Sequence, residues 1–144
     1  MPIDSRAFIA FAFLVFLATP VAANERVVFL DVGQGDAILV QSSGCNFLVD
    51  AGNLSTAGAL PGLLEQYGVT GLDGLVVTHP HIDHFGGVFA FAPDFAIEQV
   101  YDNGAVNSDW VYFAEYERWR KRYSYSVLAC LLYTSDAADD LLCV

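Results

Sequence analysis

Residues 76–87 read VVTHPHIDHFGG, and this stretch holds every histidine of the chain, namely His79, His81 and His84. An apolar run precedes the histidines, and Asp83 lies directly before the last of them. In an extended segment, residues two apart project to the same side, so His79 and His81 can present two imidazoles to one point. The crowding of imidazoles beside a carboxylate indicates a metal site at the end of a strand.

The two glycines that close the stretch extend this interpretation. A turn into a helix at Gly86 and Gly87 can aim Asp83 and His84 at a second point close to the first. Imidazole nitrogen and carboxylate oxygen bind Zn²⁺ at about 2.0–2.2 Å, and two such ions about 3.5–4 Å apart can share a hydroxide. The stretch therefore predicts half of a two-metal site. The alternative, a polar loop whose histidines cap the following helix, leaves the absence of other histidines unexplained.

The residues around this stretch predict a sheet covered by helices. Three strands in a meander come first, and helix and strand alternate afterwards, which favours an α+β fold in an αββα arrangement. Alternation and turn residues predict strands over residues 26–32, 36–41, 46–50, 75–78 and 97–101. Apolar spacing predicts helices over residues 59–67 and 108–123, with a short one around residues 88–91.

The composition is that of an acidic domain with a buried core. Apolar residues make up 55% of the chain and aromatic residues 14%, which separates it from a disordered acidic tail. The formal net charge is −11, and the six Lys and Arg residues are too few for strong general binding to nucleic acid or to anionic membranes. Chemistry on a phosphate would therefore need a metal to supply positive charge.

Four of the six basic residues lie in RWRKR, residues 118–122, with Trp119 among them and Tyr116 nearby. A patch that contacts phosphates and stacks on bases is one interpretation. On a helix, however, the four basic side chains spread over much of the circumference, and they can simply balance an acidic surface. The sequence favours this second interpretation, a solvated helix face.

The N-terminal residues 1–23 predict a signal peptide. Arg6 precedes an apolar run over residues 7–18, and small residues precede Asn24, which suits cleavage before Asn24. The run is shorter than the roughly 20 residues of a membrane span, although an uncleaved anchor is an alternative. We therefore expect a secreted or periplasmic protein with no membrane contact beyond this segment.

The C-terminal residues 130–144 lack the alternation of a strand and the spacing of a helix. Back-translated, residues 130–139 can be written TGTCTCTTATACACATCTGACGCTGCCGAC, which resembles a transposon adapter used in preparing sequencing libraries. We expect adapter read-through here, with an ordinary acidic tail as the alternative; an independent clone that encodes these residues in a native frame would contradict read-through. Cys45 is then the one native cysteine, and no disulfide forms within the chain.

Several motifs of residues 24–129 carry a resemblance to a known family. THPHIDHFGG is similar to the metal-binding signature of the metallo-β-lactamase fold superfamily. The motifs FLDVGQGDAILVQ, FLVDAG and VYDNG are similar to the hydrolase domain of bacterial competence DNA-uptake proteins and their stand-alone secreted relatives, and they begin at Phe29, Phe47 and Val100. The resemblance implies a truncated domain, the N-terminal half of an αββα metallo-β-lactamase sandwich.

The resemblance also implies a role for each residue of the histidine stretch. Two zinc ions would bind in the intact protein, the first at His79 and His81 and the second at Asp83 and His84. Asp83 would be catalytic as well, because it would hold both the metal and the attacking hydroxide.

Two further aspartates, Asp50 and Asp36, resemble family positions near the metal site. Asp50 would steady the histidine loop through hydrogen bonds, because metal ligands need such partners to fix their orientation. Each aspartate has a simpler alternative, since Asp36 ends a tight turn and Asp50 precedes Gly52, and an aspartate in such a place forms turns without any functional role.

The implied activity is metal-dependent hydrolysis through a zinc-bound hydroxide. The competence-like motifs favour a phosphodiester substrate, with a lactone or amide of a small molecule as the alternative. His81 stands where the membrane-embedded competence proteins commonly carry an acidic residue, which favours a soluble hydrolase. The family's later ligands, another His, a bridging Asp and a final His, have no counterpart after His84. The alternative is therefore a non-catalytic fragment, and the chain by itself is expected to be inactive.

Overall fold

The computed structural model describes residues 25–107 and 111–128. The predicted signal peptide, residues 1–23, and the expected adapter segment, residues 130–144, lie outside the described residues. Within the two described ranges, no helix combines the length and apolar character that crossing a membrane requires.

The described residues form a mixed sheet with short helices. The strands are β1 (Arg26–Phe29), β2 (Ile38–Ser42), β3 (Cys45–Val49), β4 (Gly71–Leu72), β5 (Gly74–Val77), β6 (Ala96–Ile97), β7 (Gln99–Asp102) and β8 (Ser124–Val127). The helices are α1 (Leu60–Gln66), α2 (Ile82–Phe85) and α3 (Phe113–Arg120), with 3₁₀ segments at Leu54–Ala59 and Gly86–Ala90. The main sheet has the order β1-β2-β3-β5-β7-β8, and β4 pairs with β6. The first three strands are antiparallel, and β3, β5, β7 and β8 run parallel.

The hairpin between β2 and β3 sets the register of the meander. Ser43 and Gly44 connect the strands with φ of 53° and 87°, and a two-residue type I′ turn needs positive φ at both positions. Ser42 consequently pairs with Cys45, and Leu39 pairs with Leu48.

One face of the sheet is a fully buried apolar row. Leu39, Leu48, Leu75 and Val100 are neighbours across four strands, and each is 0% exposed. The same core includes Leu60 of α1 and further helical side chains, namely Leu64, Phe85, Val88, Tyr116 and Trp119. Each buried aliphatic side chain contributes roughly 1.5–3 kcal/mol, so this row fixes the helices against the sheet.

The opposite face of the sheet is also apolar but is half open within the described residues. Its central row runs across Phe29, Ile38, Val49, Val76 and Tyr101, and Phe29 is 78% exposed. Apolar residues on both faces are typical of a sheet that is covered on both sides. The predicted α+β class is confirmed, and the architecture is consistent with part of an αββα sandwich.

Two predicted elements end earlier than expected. The first strand stops at Phe29 instead of residue 32, because Leu30 and Val32 leave the sheet and bury their side chains as a loop. Of the helix predicted over residues 108–123, residues 108–110 lie outside the described residues; the described part forms a helix over Phe113–Arg120, and Ser124–Val127 forms β8 beyond it. In β8, Tyr125 pairs with Val100 of β7, a contact that helical spacing does not reveal.

Candidate metal centre

The histidine stretch lies at the edge where β3 and β5 end. Parallel neighbours end at the same edge of a sheet, so Asp50 after β3 lies beside Thr78 and His79 after β5. The Asp50 backbone nitrogen donates to the Val76 carbonyl at 2.7 Å, which keeps the two chains together beyond the last pair of the ladder. His81 then begins α2 as its N-cap residue.

Asp50 is the hub of this edge. It is 2% exposed and has a φ of 56°, a backbone conformation that few residues other than glycine adopt. Its Oδ1 accepts from the Thr78 backbone nitrogen at 2.8 Å, and its Oδ2 accepts from the Thr78 hydroxyl at 2.7 Å. The His84 Nδ1 lies 2.8 Å from the same Oδ2. Asp50 therefore joins the ends of two strands to α2, which is the set of contacts expected of a residue that steadies the histidine loop.

The imidazoles of the stretch lie close together. The ring centroid of His79 lies 4.6 Å from that of His81 and 3.9 Å from that of His84. Partial burial lowers the pKa of His79, and the neighbouring His84 and His81 lower it further. A lowered pKa favours the neutral imidazole, which is the form that can bind a metal ion.

Carboxylates lie around these rings. The Asp83 Oδ1 lies 3.9 Å from the His84 Nε2. Possible ligand atoms of Asp36, Asp50 and His84 all lie within 4.8 Å of one another. Because hydrogen bonds already occupy both Asp50 oxygens, we interpret Asp50 as a support for ligands. All six aspartates and histidines predicted from the sequence thus lie at this one edge, and imidazole and carboxylate donors suit a divalent metal ion such as zinc. Their roles toward a metal stay predictions.

The turn before Asp36 packs directly on the histidine stretch. Gly35 has a φ of 98°, and a Cβ at this position would lie 1.8 Å from the Asp83 carbonyl oxygen. The Gly52 backbone nitrogen also donates to the Asp36 carbonyl at 2.8 Å. The sequence GQG indicated a turn, but the close approach of its backbone to Asp83 was not predicted.

Asn107 is a further contact that sequence reasoning missed. Its side-chain nitrogen donates to the carbonyl oxygen of Pro80 at 3.1 Å, between His79 and His81. No motif surrounds Asn107 in the sequence, so only its place in the fold reveals this contact.

The interpretation of RWRKR as a solvated helix face is wrong for Arg120. Its guanidinium is buried and forms an ion pair with Asp102, while Arg118 is exposed. Asp102 also accepts hydrogen bonds from Tyr116 at 3.0 Å and from Tyr125 at 2.6 Å. Partial burial and the hydrogen bond to Asp102 raise the pKa of Tyr125 to about 12. Asp102 is therefore engaged in a buried network at the end of β7 and is not available as a metal ligand.

The fold and these donors define a mixed α/β domain with a candidate centre for divalent metal. Residues 30–126 match the family model described as the Metallo-beta-lactamase superfamily, and the chain belongs to that superfamily. It is 41% identical over 56 residues to the Anti-Pycsar protein Apyc1 of Paenibacillus xerothermodurans, a match that covers 38% of this chain and 20% of that protein. The chain thus spans about a fifth of the length of this relative. A crystal structure described as a new diphosphatase from the PhnP family aligns with a TM-score of 0.46 and 17% identity, over 67% of this chain and 37% of that chain.

Proposed function

We propose that this chain carries part of a metal-dependent hydrolase that cleaves phosphodiesters with two zinc ions. The observation that carries the proposal is the gathering of three imidazoles beside Asp83 at the end of two parallel strands. His79 and His81 would hold the first zinc, and Asp83 and His84 would hold the second. Membership of the metallo-β-lactamase superfamily supports the use of divalent metal.

The residues of the chain would prepare the site for this chemistry. Bound zinc would supply an acidified water and positive charge against the anionic transition state. Asp83 would orient the attacking water, since its half-buried carboxylate lies beside the His84 ring. Asp50 would keep the His84 Nε2 facing the metal by holding its Nδ1. With a net charge of −11, the protein itself repels phosphate, so the attraction must come from the metal.

The substrate class rests on the competence-like motifs. FLDVGQGDAILVQ and FLVDAG supply Asp36 and Asp50 at the candidate centre, and THPHIDHFGG supplies its histidines. Their similarity to the hydrolase domain of competence DNA-uptake proteins supports a phosphodiester over a lactone or amide. His81 supports a soluble member of that group.

The centre proposed here needs ligands beyond those of this chain. The two-metal interpretation requires a further His, a bridging Asp and a final His, and no counterpart of these follows His84 in the sequence. Asp102, at the end of the neighbouring strand β7, forms a buried ion pair with Arg120 and is therefore not available as a metal ligand.

Zinc content and hydrolysis test this proposal in the 144-residue chain and in an extended form encoded by the downstream DNA. We expect the extended form to hold about two zinc ions and to cleave bis(p-nitrophenyl) phosphate. His79→Ala and His84→Ala should each lower the zinc content, whereas Asp94→Ala, an exposed carboxylate on another loop, should not.

Three outcomes would contradict separate parts of the proposal. An extended form without bound zinc would rule out the metal-dependent hydrolase. Cleavage of a lactone or amide, with no cleavage of the phosphodiester, would replace the substrate class. Full activity of the 144-residue chain would overturn the interpretation of it as an incomplete fragment.

We further propose that the protein is secreted or periplasmic. The support is the order of Arg6, an apolar run and small residues before Asn24. N-terminal sequencing of the exported protein should begin at Asn24. A membrane-bound chain that retains residues 1–23 would instead indicate an anchor.

A further inference from the structure

Thr78 connects two histidines that the proposed function places on different metal ions. Its hydroxyl oxygen lies 2.7 Å from the Asp50 Oδ2 and 3.0 Å from the His79 Nδ1. The same Asp50 oxygen lies 2.8 Å from the His84 Nδ1. A continuous hydrogen-bonded path therefore runs from His79 through Thr78 and Asp50 to His84.

The number of available protons fixes the direction of each hydrogen bond. A carboxylate can only accept, so the single hydroxyl proton of Thr78 is donated to Asp50. The Thr78 oxygen then accepts from the His79 Nδ1, which must carry a proton. The same reasoning gives the His84 Nδ1 a proton, because it also faces the Asp50 carboxylate. Both rings consequently keep the lone pair of Nε2 available.

We propose that Thr78 is a positioning residue, through which the buried Asp50 carboxylate, the direct partner of His84, also sets the tautomer of His79. Asp50 acts on His84 directly and on His79 through the Thr78 hydroxyl. The nitrogen that binds a metal is set by the hydrogen bond of the other ring nitrogen. The two metal positions are thereby coupled through Asp50. The coupling of metal ions rests on the proposed function, whereas the tautomers of the two histidines follow from the hydrogen bonds alone.

Thr78→Val separates this role from a general structural one. Valine has nearly the shape of threonine, and the backbone N–H that donates to Asp50 Oδ1 is retained. Two-dimensional ¹H–¹⁵N spectra of the metal-free chain, recorded above the ordinary histidine pKa of about 6.5, report the tautomer of each imidazole. We expect His79 to lose its Nδ1–H form in this variant, while His84 keeps its own. Thr78→Ser should restore the Nδ1–H form of His79.

Zinc titration of the same substitutions in the extended form of the protein provides a second readout. Losing the partner of a ligand typically lowers metal affinity about 10–100-fold, and we expect such a loss for Thr78→Val but not for Thr78→Ser. Thr56→Val is the matched control, because its hydroxyl bonds to the carbonyls of Val32 at 2.6 Å and Asn53 at 3.2 Å and not to Asp50 or a histidine. It should leave both histidine tautomers unchanged.

The spectra test the role of Thr78, and the zinc measurements test the proposed function, so one can be contradicted without the other. An Nε2–H form of His79 in the parent chain, or an unchanged His79 in Thr78→Val, would overturn the role of Thr78 whatever the metal content. An extended protein that binds no zinc would overturn the proposed function and with it the coupling of metal positions. If Thr78→Val unfolds the chain, the spectra of the parent and of Thr78→Ser still decide the tautomer of His79.

Discussion

Asp102→Ala should lower the free energy of unfolding of this chain by about 3–5 kcal/mol, because it removes the buried counter-ion of Arg120 and leaves the guanidinium only the partly exposed Glu117, 3.3 Å away. The Nε of Arg120 already has no hydrogen-bond partner among the described residues, and of its two carboxylate partners Asp102 is the more deeply buried. The change also removes the acceptor for the hydroxyls of Tyr116 and Tyr125. Urea unfolding followed by tryptophan fluorescence measures the loss, since Trp119 is buried beside this network.

The exposed pair of Arg118 and Glu115 is the matched control for this prediction. Its atoms lie 3.7 Å apart, and the side chains are 71% and 51% exposed. Exposed pairs contribute at most about 1 kcal/mol, so Arg118→Ala should have little effect. Asp102→Asn adds a spectroscopic readout, because the pKa of Tyr125 should fall from about 12 towards its ordinary value near 10. A loss for Asp102→Ala no larger than that for Arg118→Ala would show that the ion pair does not stabilise the fold.

Gly87→Ala should destabilise the chain and separate Asp50 from His84. A Cβ at position 87 would lie 1.8 Å from the Ala51 carbonyl oxygen, and this neighbour is backbone that cannot rotate away. The Gly87 backbone nitrogen also donates to the Gly52 carbonyl at 3.1 Å. The segment at Gly87 therefore cannot shift away from Ala51 and Gly52 without breaking this hydrogen bond. Overpacking costs about 1–3 kcal/mol and more where backbone must shift, and we expect a loss at the upper end of this range.

Gly62→Ala is the control for Gly87→Ala. Gly62 lies in α1, and a Cβ there would meet nothing within 4 Å. Alanine is favoured over glycine in a helix by roughly 0.5–1 kcal/mol, so this variant should be slightly more stable than the parent. Urea unfolding of both variants measures the difference, and zinc titration of Gly87→Ala should show weaker binding. Equal stability of Gly87→Ala and the parent would contradict the tight backbone contact.

The parts of the fold that depend on local pattern were predictable from the sequence. The β2–β3 hairpin follows from alternation and a turn, and the histidine cluster follows from the spacing of its residues. The surroundings of Asp102 were not predictable, because Arg120 and Tyr125 are 18 and 23 residues away from it. The sequence around Arg120 does not indicate that its guanidinium pairs with a carboxylate from a distant strand.

The candidate site also has residues that the sequence predicts and residues that only the fold reveals. The six aspartates and histidines were identified by residue type, because metal chemistry restricts which side chains can serve. Asn107 supports the site through a hydrogen bond to Pro80 and Thr78 through hydrogen bonds to Asp50 and His79, and neither residue type is restricted to that task. Such residues can be found only when the parallel pairing of the strands has placed them.

The parallel pairing of β3 and β5 has a consequence for the order of folding. The meander of β1, β2 and β3 closes through short loops, whereas Asp50 must find Thr78 across 28 residues and His84 across 34. Closing longer loops costs more chain entropy, and contacts distant in sequence form slowly. The hairpins are thus expected to form early and the ligand cluster late. A metal ion would consequently slow the unfolding of the finished domain more than it would speed its formation.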